Sequence, residues 1–208
     1  MKKFLSLVLA LVMTMSLVTV SAGAKDFSDD DSITYQEAVD VISEIGVVDG
    51  YTGGDFKPTD VLTRGAAAKI ICNLILGPTT ASYLSADTAP FKDVPVTNEF
   101  AGYIAYCSQQ GIINGYNDGK FHPDDDLTIA QAVKLAACLN SLYSSATADF
   151  SAASPWYQPY VDYARRNGIL TRTFADYNAP ASRREFAAVL AGALPRGALQ
   201  PINSIADG

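Results

Sequence analysis

The stretch Gly111-Ile-Ile-Asn-Gly115-Tyr-Asn-Asp118-Gly119-Lys-Phe121-His-Pro123 decides the fold, because the chain carries it more than once. Phe91-Lys-Asp93 precedes it and Thr128-Ile-Ala-Gln131 follows. An earlier copy runs Phe27-Ser-Asp29, then Gly46-Val-Val-Asp-Gly50-Tyr-Thr-Gly-Gly54-Asp-Phe56-Lys-Pro58, then Thr63-Arg64-Gly-Ala66. A worn third copy keeps Phe150-Ser-Ala152, Gly168-Ile-Leu170 and Ser182-Arg183-Arg184-Glu185. Gly46 recurs at 111 and 168, spacings of 65 and 57, and Thr63 recurs at Thr128 and Ser182, spacings of 65 and 54. The third unit is therefore shorter as well as degenerate. Self-similarity of this kind marks tandem units that share packing with their neighbours.

Each unit reads as helix, loop, helix. Tyr35 to Ile45 places Ala38, Val39, Val41, Ile42 and Ile45 at helical spacing. Gly46 then suits a helix C-terminal cap, where the left-handed backbone favours glycine. Phe100 to Gln110 before Gly111, and Trp156 to Asn167 before Gly168, repeat the pattern. The second helix opens at Thr63, Thr128 or Ser182, hydroxyl residues suited to accept from first-turn N–H groups. Thr128-x-x-Gln131 and Ser182-x-x-Glu185 read as capping boxes, whereas unit one has Ala66 at that place. The Ala-rich runs 66–76, 130–142 and 186–194 continue as helices, and the Gly- and Asp-rich segments 49–60 and 114–126 form the turns between them.

The ordered string resembles the S-layer homology (SLH) domain, whose signature is F-x-D, a first helix, G-I-I-x-G-Y-x-D-G-x-F-x-P, and T-R-A-E opening a second helix. The resemblance covers roughly residues 26–194. It implies a mainly α fold: three tandem helix-loop-helix repeats in a pseudo-threefold, three-pronged helical bundle. Such domains anchor exported proteins noncovalently to bacterial cell-wall polysaccharide. The expected divisions are a signal peptide at 1–24, repeats at 25–76, 91–140 and 150–194, linkers at 77–90 and 141–149, and a C-terminal tail at 195–208.

The N-terminus reads as an export signal. Lys2 and Lys3 precede an apolar run from Phe4 to Val20, and Ala22-Gly23-Ala24 fits a cleavage site. The run has 17 residues, slightly short of the roughly 20 that a membrane span needs. Removing residues 1–24 takes out two lysines and leaves 13 basic against 22 acidic residues, a balance of −9. That argues against nucleic acid, which needs a basic face. It leaves room for an anionic glycan held by a local arginine. The mature chain of 184 residues would give three separate domains only about 60 residues each, marginal alone, so shared packing is expected. Cys72, Cys107 and Cys138 sit in apolar helical contexts without a C-x-x-C pair and read as buried apolar residues; a disulfide plus one thiol is the alternative.

Arg64 is the leading candidate for chemistry. It follows the Thr63 cap, where exposed N–H groups and the positive end of the helix dipole converge, and an arginine can hold a carboxylate by two parallel bonds. The resemblance implies that this arginine contacts a ketal-pyruvate on a wall sugar. Arg183 holds the matching place in unit three, while unit two has Ile129. Asp29 and Asp93 match the family aspartate, with a role either in bonding sugar hydroxyls or in bracing the loop; unit three has Ala152 there. Gly50 and Gly115 let the backbone approach a ligand, and Tyr51 and Tyr116 after them are the aromatic contacts expected for a sugar ring. Trp156, Tyr157 and Tyr160 read singly as core, and His122 as a loop surface residue. A groove involving units one and two is the first choice, with a second around Arg183.

An enzyme is not expected. The four glutamates, Glu37, Glu44, Glu99 and Glu185, mark no acid–base pair, and no nucleophile motif, zinc motif or phosphate loop occurs. No metal or cofactor is expected either. A calcium loop with Gly119 sixth would place Tyr116 at a ligand position and Asp125 at the twelfth, where a glutamate is needed. The expected partner is cell-wall secondary polysaccharide, with ketal-pyruvate as its acidic group and no membrane contact after signal cleavage. The alternative is an exported module that docks envelope proteins without binding glycan.

Overall fold

Three hydroxyl residues start the three longest helices of the computed structural model, which describes residues 27–33, 35–44, 46–48, 50–144 and 148–194. The expected signal peptide and C-terminal tail lie outside the described residues. Seven α-helices occur among the described residues: α1 (Gln36–Glu44), α2 (Arg64–Leu76), α3 (Pro78–Ala81), α4 (Ala101–Gln109), α5 (Ile129–Tyr143), α6 (Gln158–Arg166) and α7 (Arg183–Ala193). Thr63, Thr128 and Ser182 each accept from the backbone N–H three residues on. Both capping boxes form, and α2 has only the single bond, because Ala66 cannot return one. Gly46, Gly111 and Gly168 end the first helices at φ of 69°, 71° and 70°, the left-handed cap that their position in each repeat predicts. Within the linker expected at 77–90, Pro78 opens the four-residue α3, with its fixed φ at a position where no N–H is needed.

The helices interlock cyclically rather than pairing within units. The second helix of unit one, α2, packs on the first helix of unit two, α4. Likewise α5 packs on α6, and α7 of unit three returns to α1 of unit one. At the axis the same cycle closes in the backbone. Leu62 N–H donates to Ala181 O (3.2 Å), Ala181 N–H to Leu127 O (2.7 Å), and Leu127 N–H to Leu62 O (2.7 Å). Isolated antiparallel bridges, Val61 with Ser182, Thr63 with Asp126 and Thr128 with Pro180, flank this ring.

Small residues allow the close approach. Ala67, Ala68, Ala132, Ala136 and Ala137 have at most 1% exposure, and the large side chains between them include Phe56, Phe121, Phe186, Ile71 and Leu139. In units one and two the Phe of F-x-D packs on the loop Phe, with ring centroids 5.2 Å apart for Phe27–Phe56 and 5.4 Å for Phe91–Phe121. In unit three, whose loop is shorter, Phe150 stacks instead on Tyr160 at 4.5 Å. The three cysteines are free and buried; Cys72 Sγ and Cys107 Sγ lie 3.4 Å apart across the α2–α4 contact.

Because each unit completes its neighbour, residues 25–208 should unfold in a single transition. A fragment ending at Tyr143 should lose that transition in circular dichroism, since α1 then lacks α7 and Leu62 N–H lacks Ala181. A thiol reagent should find no cysteine in the native chain and three in guanidinium.

Candidate functional site

The loop of each complete repeat is shaped by its aspartate. Asp93 accepts from Phe121 N–H (2.8 Å) and His122 N–H (2.7 Å); Asp29 accepts from Phe56 N–H (2.7 Å) and Lys57 N–H (2.8 Å). These bonds hold His122 and Lys57 at φ of 57° and 54°, a region that side-chain-bearing residues enter at a cost. Partial burial raises both carboxyl pKa values, but the backbone N–H bonds outweigh it and leave both below the ordinary range. Of the two roles open to these residues, the geometry displays the bracing one.

Gly115 lacks a side chain for a reason other than backbone freedom. A Cβ there would lie 2.3 Å from the Phe91 ring, and one at Gly50 2.8 Å from Phe27. The turns themselves use Gly54 and Gly119, at φ of 87° and 80°.

Arg64 crosses from unit one into the loop of unit two. Its Nε donates to Phe121 O at 2.8 Å and its Nη2 to Asn114 O at 3.4 Å. The guanidinium carbon lies 4.3 Å from the Phe121 ring centroid and 4.8 Å from that of Tyr116. Burial lowers its pKa, opposed by Tyr116, Asp125 and Asp93, and an arginine so placed stays cationic. Arg183 of unit three enters the loop of unit one in the same way. Its Nε donates to Phe56 O at 2.8 Å, and its guanidinium lies 4.8 Å from Phe56 and 5.0 Å from Tyr51. Arginine and loop thus come from different units: Arg64 joins Asp93, Gly115 and Tyr116, and Arg183 joins Asp29, Gly50 and Tyr51.

One expectation is overturned. The first N–H groups of α2 do not stand open to an anion. Arg64 N–H donates to Asp125 O (3.0 Å), Gly65 N–H to Pro123 O (2.8 Å) and Ala66 N–H to the Thr63 hydroxyl (3.2 Å). Arg183 and Arg184 N–H are likewise held by Asp60 O and Pro58 O. The helix N-termini hold neighbouring loops instead.

The Arg64 cluster forms the inner wall of a groove of about 550 Å³. Its floor is the 113–117 segment with Phe121, one side is α5 with Gln131 and Lys134, and the other is unit three with Phe150, Trp156 and Tyr160. Trp156, expected in the core, stands 47% exposed on the rim, and Tyr116 is 46% exposed, its hydroxyl bonded by Gln131 Nε2 at 2.9 Å. Lys134 was not a candidate from sequence, although it is the one charged residue of α5. At the equivalent place between units three and one, Arg172 pairs with Glu185 at 2.9 Å and covers Phe174 at 4.2 Å, filling a smaller cavity of about 200 Å³.

Two braced loops, each entered by a neighbour's arginine, define a class of interlocked helix-loop-helix repeat. Residues 26–68 and 90–133 match the S-layer homology domain. The chain carries two domains that match that family; the third helix-loop-helix lies outside both matches. A surface-layer 125 kDa protein of Lysinibacillus sphaericus is 29% identical over 201 residues, 90% of this chain and 16% of that protein. A cell surface protein of Thermoanaerobacter kivui is 26% identical over 93% of this chain and 24% of its own length. A cellulosome-anchoring protein of Acetivibrio thermocellus is 39% identical over 39% of this chain and 18% of its own. The chain thus spans less than a quarter of each of these relatives, two of which are named as surface proteins and the third as an anchoring protein.

The braces give a pH prediction. Asp29 and Asp93 have lowered folded-state pKa values, so their stabilisation is complete above the unfolded value of about 4 and is lost as pH falls through the folded values. Asp93→Asn should destabilise the chain at pH 7 by about 1–3 kcal/mol. The difference from wild type should shrink below about pH 4 in denaturant titrations.

Proposed function

We propose that the chain anchors itself noncovalently at the bacterial surface by binding anionic secondary cell-wall polysaccharide, with a ketal-pyruvate as the acidic group. The observation that carries this reading is the groove beside Arg64, where cations and exposed aromatic faces meet in a cleft wide enough for sugar units. Tyr116 and Trp156 offer flat faces to sugar C–H surfaces. Arg64 and Lys134 supply positive charge inside an acidic chain, and Gly115 keeps the floor low against Phe91. The site around Arg183, Gly50 and Tyr51 is the second binding place. Asp29 and Asp93 serve it indirectly by shaping the loops. Binding without catalysis also suits the surface-layer and anchoring proteins to which the chain is similar.

The test is co-sedimentation of residues 25–208 with purified cell-wall sacculi, before and after acid removal of the secondary polymer. Binding should vanish on stripping. It should weaken at least about tenfold in a Tyr51→Ala, Tyr116→Ala double variant whose thermal unfolding is close to wild type. Undiminished binding to stripped sacculi would overturn the reading and turn attention to envelope proteins as partners.

A further inference from the structure

We propose that Cys72 and Cys107 are a disulfide-forming pair that cross-links unit one to unit two while the chain folds, with an external disulfide as the oxidant. The inference goes beyond the polysaccharide reading and needs no glycan.

Two helices from different units bring the sulfurs together. Cys72 lies on α2 and Cys107 on α4, both fully buried, with Sγ atoms 3.4 Å apart. Each thiol crosses the seam toward the other helix. Cys72 Sγ lies 3.5 Å from Tyr103 O, one turn before Cys107, and Cys107 Sγ lies 3.7 Å from Ala68 O, one turn before Cys72. The two side chains thus face each other at one level of the helix pair. A disulfide needs a sulfur separation of roughly 2.05 Å, so bond formation draws each atom in by about 0.7 Å.

The other two seams serve as an internal control. Cys72 stands nine residues past Thr63, and Ala137 and Ala191 stand nine past Thr128 and Ser182. Cys107 stands four residues before Gly111, and Ala164 and Ile42 stand four before Gly168 and Gly46. All four equivalents are buried. The same seam position is therefore filled by Ala137 with Ala164 between units two and three, and by Ala191 with Ile42 between units three and one. Apolar side chains satisfy the packing at those seams, and only the first seam has sulfur on both sides. Cys138, one place further along α5, shares no such contact with either of the other cysteines.

The chemistry is thiol–disulfide exchange. One cysteine, as thiolate, attacks a sulfur of the oxidant, breaking its S–S bond and releasing one thiol. The second cysteine attacks the protein sulfur of that mixed disulfide, forming the Cys72–Cys107 bond and releasing the second thiol. Two cysteine thiols are oxidised, one external disulfide is reduced, and two protons pass from the cysteines to the released thiols. In the folded chain the thiolate is scarce. The hydrogen bond with Cys107, and then burial, push the Cys72 thiol up, and solvent reaches neither sulfur. The step therefore belongs to folding, before α2 and α4 close over the pair. The proposed surface location puts the chain outside the reducing cytosol, where disulfides persist. Joining positions 35 apart also removes freedom from the unfolded chain.

The test starts from residues 25–208, reduced, unfolded in guanidinium and refolded with oxidised and reduced glutathione. Thiols titrated in guanidinium should fall from three to one, the intact mass should drop by two hydrogens, and a Cys72 peptide should be joined to a Cys107 peptide. The cross-linked chain should melt about 5–15 °C above the reduced one, and a reductant should abolish the difference. Cys107→Ala, which copies Ala164 of the second seam, should fold and show neither the cross-link nor the rise, whereas Cys138→Ala should show both. The native reduced chain should acquire the same bond at least about tenfold more slowly than the refolding chain. Three thiols remaining after refolding, a glutathione adduct in place of the internal bond, a bond to Cys138, or a cross-linked chain that melts no higher than the reduced one would overturn the inference. None of these outcomes bears on binding to sacculi, so the polysaccharide reading stands or falls separately.

Discussion

Three backbone hydrogen bonds at the axis, Leu62 to Ala181, Ala181 to Leu127 and Leu127 back to Leu62, are the constraint on which everything else rests. A cycle of this kind cannot be built two-thirds of the way: removing any one unit leaves one donor and one acceptor without partners at the centre of the bundle. The helices repeat the logic, since α2, α5 and α7 each pack on the first helix of the next unit. Units of about 60 residues, too small to be well stabilised alone, become one core by this exchange. The bonds from the N-termini of α2, α5 and α7 to the loops beside them tie the outer turns to the axis.

The same exchange explains the pattern of wear. Read unit by unit, unit two has lost its arginine at Ile129 and unit three has lost its aspartate at Ala152. In the folded chain, Ile129 N–H and Ala130 N–H donate to Ala179 O and Tyr177 O, so Ile129 faces unit three. The missing arginine and the missing aspartate therefore belong to one place. Two complete loop sites remain, and at the third Arg172 covers Phe174 and pairs with Glu185 as a latch between units three and one. The close contact of Arg172 with Tyr35 belongs to the same latch. Degeneration has been concentrated rather than spread.

Within each complete site the charges divide their work. Aspartate fixes two backbone N–H groups and so makes a left-handed Lys57 or His122 tolerable. Arginine fixes a carbonyl of that same loop from the neighbouring unit. Both are largely consumed in making the groove. The faces left exposed on that groove are those of Tyr116 and Trp156.

What the sequence determined by itself were the features that a few adjacent residues decide: the helix starts at Thr63, Thr128 and Ser182, the two capping boxes, and the left-handed stops at Gly46, Gly111 and Gly168. The repeat also announced the mainly helical class, because a cap or a turn is an interaction over three or four residues and leaves its trace in consecutive letters. Only the tertiary structure decided which loop receives which arginine. Arg64 meets Phe121 57 positions away, and Arg183 meets Phe56 127 positions away. It also decided that the N–H groups beside Arg64 are occupied, that Gly115 is small because Phe91 lies against it, and that Trp156 faces the groove. Such partners are chosen by the closure of the ring, which no local pattern encodes.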